Sequence, residues 1–72
     1  MIRATTRKGT PVWVSTIKDV EPNKGGLYCE IYLNMYGDRF DDFCIHEGDC
    51  DLNNDRDVIK HVREYVSTIS EY

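Results

Sequence analysis

Oxygen-bearing side chains alternate along one segment of this sequence, a spacing that could gather ligands for a hard cation. The segment holds Asp49, Asp51, Asn53, Asp55 and Asp57. It resembles the first five ligand positions of a calcium-binding EF-hand loop. Where that loop has its glycine and its bidentate glutamate, this chain has Asn54 and Lys60. Helix capping and solubility therefore explain the segment better, and calcium binding remains an alternative.

A second group of residues combines thiols with an imidazole. Cys44, His46 and Cys50, joined by Cys29 or His61, would offer the ligands of a zinc ion. Their spacing matches no structural zinc signature, and Cys29 is assigned to the opposite face of the sheet. The sequence therefore predicts no metal site and no cofactor, with zinc as an alternative beside calcium.

Cys44 and His46 also share the outer face of a predicted hairpin with Glu30, an arrangement that resembles a thiol nucleophile, its base and an orienting acid. The α-carbons of residues two apart on a strand are separated by about 6.5–7 Å. Nothing nearby in the sequence makes an oxyanion hole or a cleft. We therefore expect a protein that is not an enzyme and has no catalytic residues.

The elements that must position these residues are four strands and one helix. The predicted strands are Ile2–Thr6, Val12–Ile17, Leu27–Met35 and Phe40–His46, and breakers rich in Gly, Pro, Asn or Asp separate them. The predicted fold is α+β: a small four-stranded antiparallel sheet made of two hairpins, with one C-terminal helix packed on one face. It forms a single ββββα domain over residues 1–72.

Alternation along the third strand assigns its two faces. The core side collects Leu27, Cys29, Ile31, Leu33 and Met35, and the outer side collects Tyr28, Glu30, Tyr32, Asn34 and Tyr36. Phe43 and Ile45 lie on the core side only if odd-numbered residues of the fourth strand pair with odd-numbered residues of the third, so that the two residue numbers of each pair add up to an even number. We prefer the register with Phe43 opposite Ile31 and Ile45 opposite Cys29. It requires a three-residue loop with Gly37 at positive φ.

An apolar stripe of helical period predicts the C-terminal helix. Its members are Val58, Ile59, Val62, Tyr65, Val66 and Ile69. Asn54 is the predicted N-cap, and Asp57 the second member of a capping box. We expect this stripe to cover a sheet face made of Ile31, Leu33, Phe43 and Ile45.

Composition places the chain among small soluble domains. Of its 72 residues 40% are hydrophobic and 31% charged, and the formal net charge is −4. A core of this size supplies about 3–5 kcal/mol, which favours a binding module over an enzyme with a strained site. No apolar run approaches the roughly 20 residues of a membrane span. Three cysteines cannot form a complete disulfide set, so we expect a cytoplasmic protein.

Acidic residues are concentrated between positions 38 and 57. That segment holds eight Asp and Glu against two Arg, whereas residues 1–24 hold five Lys and Arg against two acids. The predicted acidic rim consists of Asp38, Asp41, Asp42, Glu47, Asp49 and Asp51. The negative electrostatic field of these carboxylates repels nucleic-acid phosphates and steers the protein toward a basic surface. Runs of acidic residues often serve only solubility.

Aromatic residues mark a second candidate surface. Tyr28, Tyr32 and Tyr36 lie on the outer side of the third strand, and Trp13, with Ser15 and Ile17, extends this side onto the second strand. A single helix covers one face of a sheet, so these side chains would stay open, as is typical of an interaction surface. The alternatives are that loops or a second copy cover them, or that the helix packs on the tyrosine side.

These patterns predict a protein-interaction module whose partner is another protein with a basic surface, with no direct binding of nucleic acid or membrane and with a homodimer as an option. Its sharpest form is an inhibitor that mimics nucleic acid on a nucleic-acid-handling protein. Phages and mobile elements encode small acidic inhibitors of this kind, anti-CRISPR proteins among them; the comparison rests on size and charge alone. The alternative function is a small metal-binding protein that uses the Asp49–Asp57 loop or Cys44, His46 and Cys50.

Overall fold

The computed structural model describes residues 1–18, 25–33 and 38–69. Its elements are β1 (Ile2–Thr5), β2 (Pro11–Lys18), β3 (Gly26–Tyr32), β4 (Arg39–His46) and α1 (Asp55–Val66). The strands form one antiparallel sheet in the order β1-β2-β3-β4. The predicted α+β fold, a four-stranded antiparallel sheet followed by one helix, is confirmed.

The first hairpin is closed by a short turn between β1 and β2. The amide of Thr6 donates to the carbonyl of Thr10, and the amide of Gly9 donates to the carbonyl of Thr6, both at 2.9 Å. Gly9 has a φ of 91°, a conformation that residues with a side chain rarely adopt. This turn sets the pairing of Ile2 with Val14 and therefore the registration of the whole hairpin.

Helix α1 packs on one face of the sheet and together they enclose the core. Buried residues from the strands alternate with exposed ones, as expected for a sheet with one covered face. The buried residues are Ala4, Val12, Val14, Cys29, Ile31 and Ile45 from the sheet, and Val58, Val62 and Val66 from the helix. The rings of Phe43 and Tyr65 stack with their centroids 4.0 Å apart, which joins β4 to the helix.

The helix begins where the sequence predicts. The side chain of Asn54 accepts hydrogen bonds from the amides of Arg56 and Asp57, at 3.1 and 3.4 Å, which confirms the N-cap. The predicted capping box is wrong, because the backbone amide of Asn54 donates to the carbonyl of Asp51 at 3.0 Å. The backbone turn before the helix already satisfies the donor that the Asp57 side chain would have served.

The predicted register of the second hairpin is wrong by two residues. The prediction that odd-numbered residues of β3 pair with odd-numbered residues of β4 is confirmed. Cys29 lies opposite Phe43 and Leu27 opposite Ile45, so Ile31 lies opposite Asp41. A bulge between Ile31 and Tyr32 shifts the pairing further. Leu33 donates its amide to the Asp38 carbonyl at 2.9 Å, and the connection from Tyr32 to Arg39 is longer than the predicted three residues. Gly37 lies outside the described residues.

The core assignment is wrong at Leu33. We expected this residue under the helix, but β3 ends at Tyr32 and the side chain of Leu33 is 42% exposed. Beyond the bulge the two strands no longer alternate in step, so the period-two pattern does not extend to Leu33. Met35, predicted beside it, lies outside the described residues.

Candidate protein-binding surfaces

The sheet presents one face away from the helix, and we call it the outer face. Three rows of its residues cross the strands: Arg3, Trp13, Tyr32 and Arg39; then Ser15, Glu30 and Asp42; then Ile17, Tyr28 and Cys44. The pairs Thr5–Pro11 and Gly26–His46 lie at its two ends. The rows follow directly from the register, because side chains that oppose each other on paired strands point to the same face.

The aromatic residues predicted to face outward do so. Trp13 lies directly opposite Tyr32, and both side chains are half-buried, as is that of Tyr28. The guanidinium of Arg3 lies over the Trp13 ring, 4.9 Å from its centroid, a cation–π contact. Tyr36 lies outside the described residues. The outer face therefore combines Trp, Tyr and Arg, the residue types most often found at the energetic centres of interfaces.

Arg39 organises the middle of the outer face. Its Nη1 forms an ion pair with Oε2 of Glu30 at 3.1 Å, and its Nη2 contacts Oδ2 of Asp42. The Tyr28 hydroxyl donates to the same Asp42 oxygen, and the Arg39 guanidinium lies 5.7 Å from the centre of the Tyr28 ring. Two strands and a bulge thus bring one cation between two carboxylates.

The ionisation of this cluster follows from its contacts. The hydrogen bond from Tyr28, followed by the one from Arg39, lowers the pKa of Asp42. The hydrogen bond to Asp42 raises the pKa of Tyr28, and the same carboxylate raises the pKa of Arg39. At neutral pH Asp42 is therefore a charged carboxylate with partners, whereas the sequence suggested an unpartnered one on the acidic rim.

The remaining carboxylates of the predicted rim do not form one patch. Asp38 and Asp41 lie near the first residue of β4, and Asp41 points to the helix side because it opposes Ile31. Glu47, Asp49 and Asp51 lie beyond the last residue of β4, in the connection to α1. The rim is thus divided between the two ends of β4.

We call the exposed group Glu47, Asp49, Asp51 and Asp55 the acidic end. Hydrogen bonds fold its backbone: the amide of Glu47 donates to the Gly25 carbonyl at 3.2 Å, and the amide of Asp49 to the His46 carbonyl at 3.0 Å. Gly48 takes a φ of 110°, which favours glycine there. Among the described residues, none of the four carboxylates forms an ion pair.

Two carboxylates block the free edge of β4. The amide of Asp42 donates to Oδ1 of Asp41 at 2.8 Å, and the amide of His46 donates to Oδ2 of Asp49 at 2.9 Å. β4 is the last strand of the sheet, so these amides would otherwise be open to pairing with another chain. The structure thus gives Asp41 and Asp49 backbone-capping roles that sequence analysis missed.

The residues considered for metal binding are not gathered. Across ranges 1–18, 25–33 and 38–69, no group of three or more His, Cys, Asp or Glu side chains is placed to hold a metal ion. Asp49 accepts from the His46 amide, and Asp51 accepts from the Asn53 amide at 3.0 Å. Both carboxylates thus serve the local backbone.

The three thiols occupy different environments. Cys29 is buried in the core, Cys44 is exposed on the outer face and Cys50 is half-buried. Burial raises the pKa of Cys29 to about 12. Burial, followed by the nearby carboxylate of Asp57, raises the pKa of Cys50. Because Cys29 is buried in the core and Cys44 is exposed on the outer face, the two lie on opposite sides of the sheet, as the sequence predicted.

The chain matches no protein-family model, no curated protein and no solved structure. Within the part of the chain that the structure describes, no helix has the length and apolar character needed to cross a membrane.

Proposed function

We propose that this protein is a non-enzymatic, cytoplasmic interaction module that docks through its acidic end on a basic surface of another protein. The observation that carries the proposal is the folded turn after β4, which displays Glu47 and its neighbours without a counter-ion among the described residues. Carboxylates held by a folded backbone lose little freedom on binding, so they can direct association with a positive surface.

The basic surface is that of a protein that handles nucleic acid. Strongly basic surfaces of proteins are often nucleic-acid grooves, which bind negatively charged phosphates. The acidic end supplies such charges at the start of α1, where Asp55 continues the series from the connection. The module would therefore act as an inhibitor that occupies the groove in place of the nucleic acid.

The structure separates part of the basic N-terminal half from the acidic end, although Lys18 lines the same pocket as Glu47 and Asp51. Arg3 lies on β1, at the opposite side of the sheet from β4, and Arg7 and Lys8 lie in the turn that follows β1. A separation of charge of this kind orients the molecule as it approaches a charged partner. The acidic end would then be the part of the molecule that turns toward the basic surface of the partner.

The test uses capture of partners from a lysate of the source organism on the immobilised full chain. Wild type is compared with Glu47→Lys, which reverses a charge whose side chain caps no backbone group in the described structure. The matched control is Thr5→Lys/Thr16→Lys, which gives the same change of net charge at two exposed positions on other strands.

We expect a captured protein that is lost with Glu47→Lys, kept with the control, released by salt and displaced by duplex DNA or RNA. Capture that survives Glu47→Lys and is not displaced by nucleic acid would overturn the proposal. Circular dichroism of all three proteins shows that the comparison is between folded chains.

A further inference from the structure

Strand β1 forms the other edge of the sheet, and some of its backbone groups point away from β2. The amide of Thr6 donates to the carbonyl of Thr10 at the end of the hairpin, and bonded pairs alternate along an antiparallel ladder. The positions of β1 that bond to β2 are therefore the even-numbered ones. The amides and carbonyls of Arg3 and Thr5 face outward, so the edge offers two donors and two acceptors.

One of these four groups has a partner in the described structure. The Nε of Arg63, in the last turn of α1, donates to the carbonyl of Arg3 at 3.2 Å, which independently shows that this carbonyl points away from β2. Among the described residues, no side chain accepts from the amide of Arg3 or Thr5. The β4 edge differs, because Asp41 and Asp49 cap two of its amides.

A surface depression of about 570 Å³ follows the β1 edge. Two strands and the helix line it, through Arg3, Ala4, Thr5, Pro11 and Arg63. The outward groups of β1 thus border open space. An extended peptide placed there would continue the sheet by one strand, a mode of binding called β-strand addition.

The charge around β1 specifies which peptide fits. Residues 1–17 contain three cations, Arg3, Arg7 and Lys8, and no Asp or Glu. Arg63 adds a fourth cation at the depression. The carboxylate next to it in the sequence, that of Glu64, lines a separate depression beside the connection from β4 to α1. The edge is therefore complementary to a negatively charged peptide.

We infer that the β1 edge binds an extended acidic peptide of another protein by β-strand addition. The outward groups of Arg3 and Thr5 form main-chain hydrogen bonds with the peptide. An incoming amide takes over the Arg3 carbonyl, which frees the Arg63 guanidinium to bind a carboxylate of the peptide through two parallel bonds. The cation that covers the edge in the free chain thus recognises the ligand in the complex.

Two other occupants fit this edge less well. A second copy paired through β1 would bring its own Arg3 and Arg63 beside those of the first copy, and like charges on neighbouring strands are destabilising. A nucleic acid would match the cations but has no alternating amides and carbonyls for the outward groups of β1. An acidic peptide satisfies both the charges and the backbone.

Titration of the ¹⁵N-labelled full chain with the peptide acetyl-Glu-Val-Glu-Val-Glu-Val-amide, followed by NMR, tests the inference. One control peptide has lysine in place of each glutamate, and the other carries a methyl group on every backbone amide. We expect the acidic peptide to shift the amide resonances of Arg3 and Thr5 and to slow their exchange with solvent. Both control peptides should leave these amides unchanged.

Two variants of the chain remove the two elements of recognition. Thr5→Pro deletes one outward amide and leaves the bonded positions of β1 in place, because proline is tolerated on edge strands. Arg63→Glu reverses the cation, and Arg56→Glu, at another exposed position of the helix, is its matched control. We expect Thr5→Pro and Arg63→Glu each to weaken peptide binding about tenfold, and the control to bind as wild type does. Circular dichroism checks that each variant is folded.

No shift at Arg3 and Thr5 with the acidic peptide would overturn the inference, as would equal binding of either control peptide. Shifts of the same amides that appear with rising protein concentration, without peptide, would assign the edge to a second copy. Binding of a single-stranded oligonucleotide that survives Thr5→Pro and displaces the peptide would assign it to nucleic acid. Both results contradict the inference.

The β1 edge and the acidic end act independently, because they lie on opposite sides of the sheet. Glu47→Lys should therefore leave binding of the acidic peptide unchanged. Thr5→Pro, in turn, should leave the acidic end able to capture its basic partner.

Discussion

The guanidinium of Arg39 contacts the carboxylate of Glu30 at 3.1 Å, on the sheet face that the helix leaves uncovered. The Glu30 side chain is only 15% exposed, so its charge depends on this cation more than a surface carboxylate would. Arg39→Gln should lower the melting temperature more than Glu30→Gln does, because the first change leaves a carboxylate without its counter-ion and the second does not.

A double-mutant cycle with circular dichroism measures this coupling. The double variant Glu30→Gln/Arg39→Gln should be more stable than the sum of the two single losses predicts. Arg56→Gln, at an exposed helix position, serves as the control and should have little effect. Strictly additive losses would show that the two side chains do not stabilise each other.

The same cluster predicts a dependence of stability on acid pH. The pKa of Asp42 is lowered in the folded chain, first by the hydrogen bond from Tyr28 and then by the one from Arg39. A lowered pKa adds stability above the ordinary carboxyl value of 3.8, and this part is lost as the pH falls through the folded value. Wild type should therefore lose more stability under acid than Asp42→Asn.

Urea denaturation at a series of pH values, from neutral to strongly acid, provides the measurement. The difference in free energy of unfolding between wild type and Asp42→Asn should shrink as the pH falls. Two curves that remain parallel throughout would show that Asp42 gains nothing from Tyr28 and Arg39.

The three cysteines should react with a thiol reagent in a fixed order. Cys44 is exposed and should react first, Cys50 is half-buried with a raised pKa and should follow, and Cys29 should not react in the folded chain. The reason at Cys29 is burial, which raises its pKa to about 12 and keeps the thiol protonated. Mass spectrometry of dilute protein during labelling gives the order.

Alkaline pH should weaken the fold through the same residue. A raised pKa means that the contribution of Cys29 is complete below the ordinary thiol value of 9.0 and is lost as the pH approaches 12. Denaturant should make Cys29 as reactive as Cys44. Rapid labelling of Cys29 in the native protein would contradict its place in the core.

Alternation was enough to predict the two faces of β3. Cys29 and Ile31 are buried and Tyr28 and Tyr32 face outward, because successive side chains in a strand must point to opposite sides. For the same reason, the sequence could predict that odd-numbered residues of β3 pair with odd-numbered residues of β4. The exact pairing could not be predicted, because it depends on a bulge between Ile31 and Tyr32 and on the length of the connection to β4, which leave no periodic signal.

Because the predicted register of β3 and β4 was wrong, the sequence did not predict the contacts of Arg39 with Glu30 and Asp42. The predicted register set Asp42 opposite Tyr32, whereas the observed one sets it opposite Glu30. Two carboxylates directly opposite each other require a cation, and Arg39 is the nearest on β4. A register that pairs Glu30 with Asp42 through a longer connection keeps Phe43 and Ile45 on the core side. It would have shown from the sequence that these two carboxylates need a cation.

Removal of the carboxylates that block β4 should convert the edge into a site of self-association. Asp41 accepts from the amide of Asp42, and Asp49 accepts from the amide of His46, so Asp41→Ala/Asp49→Ala frees two edge donors and removes two repelling charges. We expect this variant to form larger assemblies, seen by light scattering and by binding of an amyloid dye. Asp51→Ala/Asp55→Ala removes the same net charge away from the β4 edge and should stay dispersed. If both variants aggregate equally, loss of charge alone explains the effect; if neither does, the blocked amides do not protect the edge.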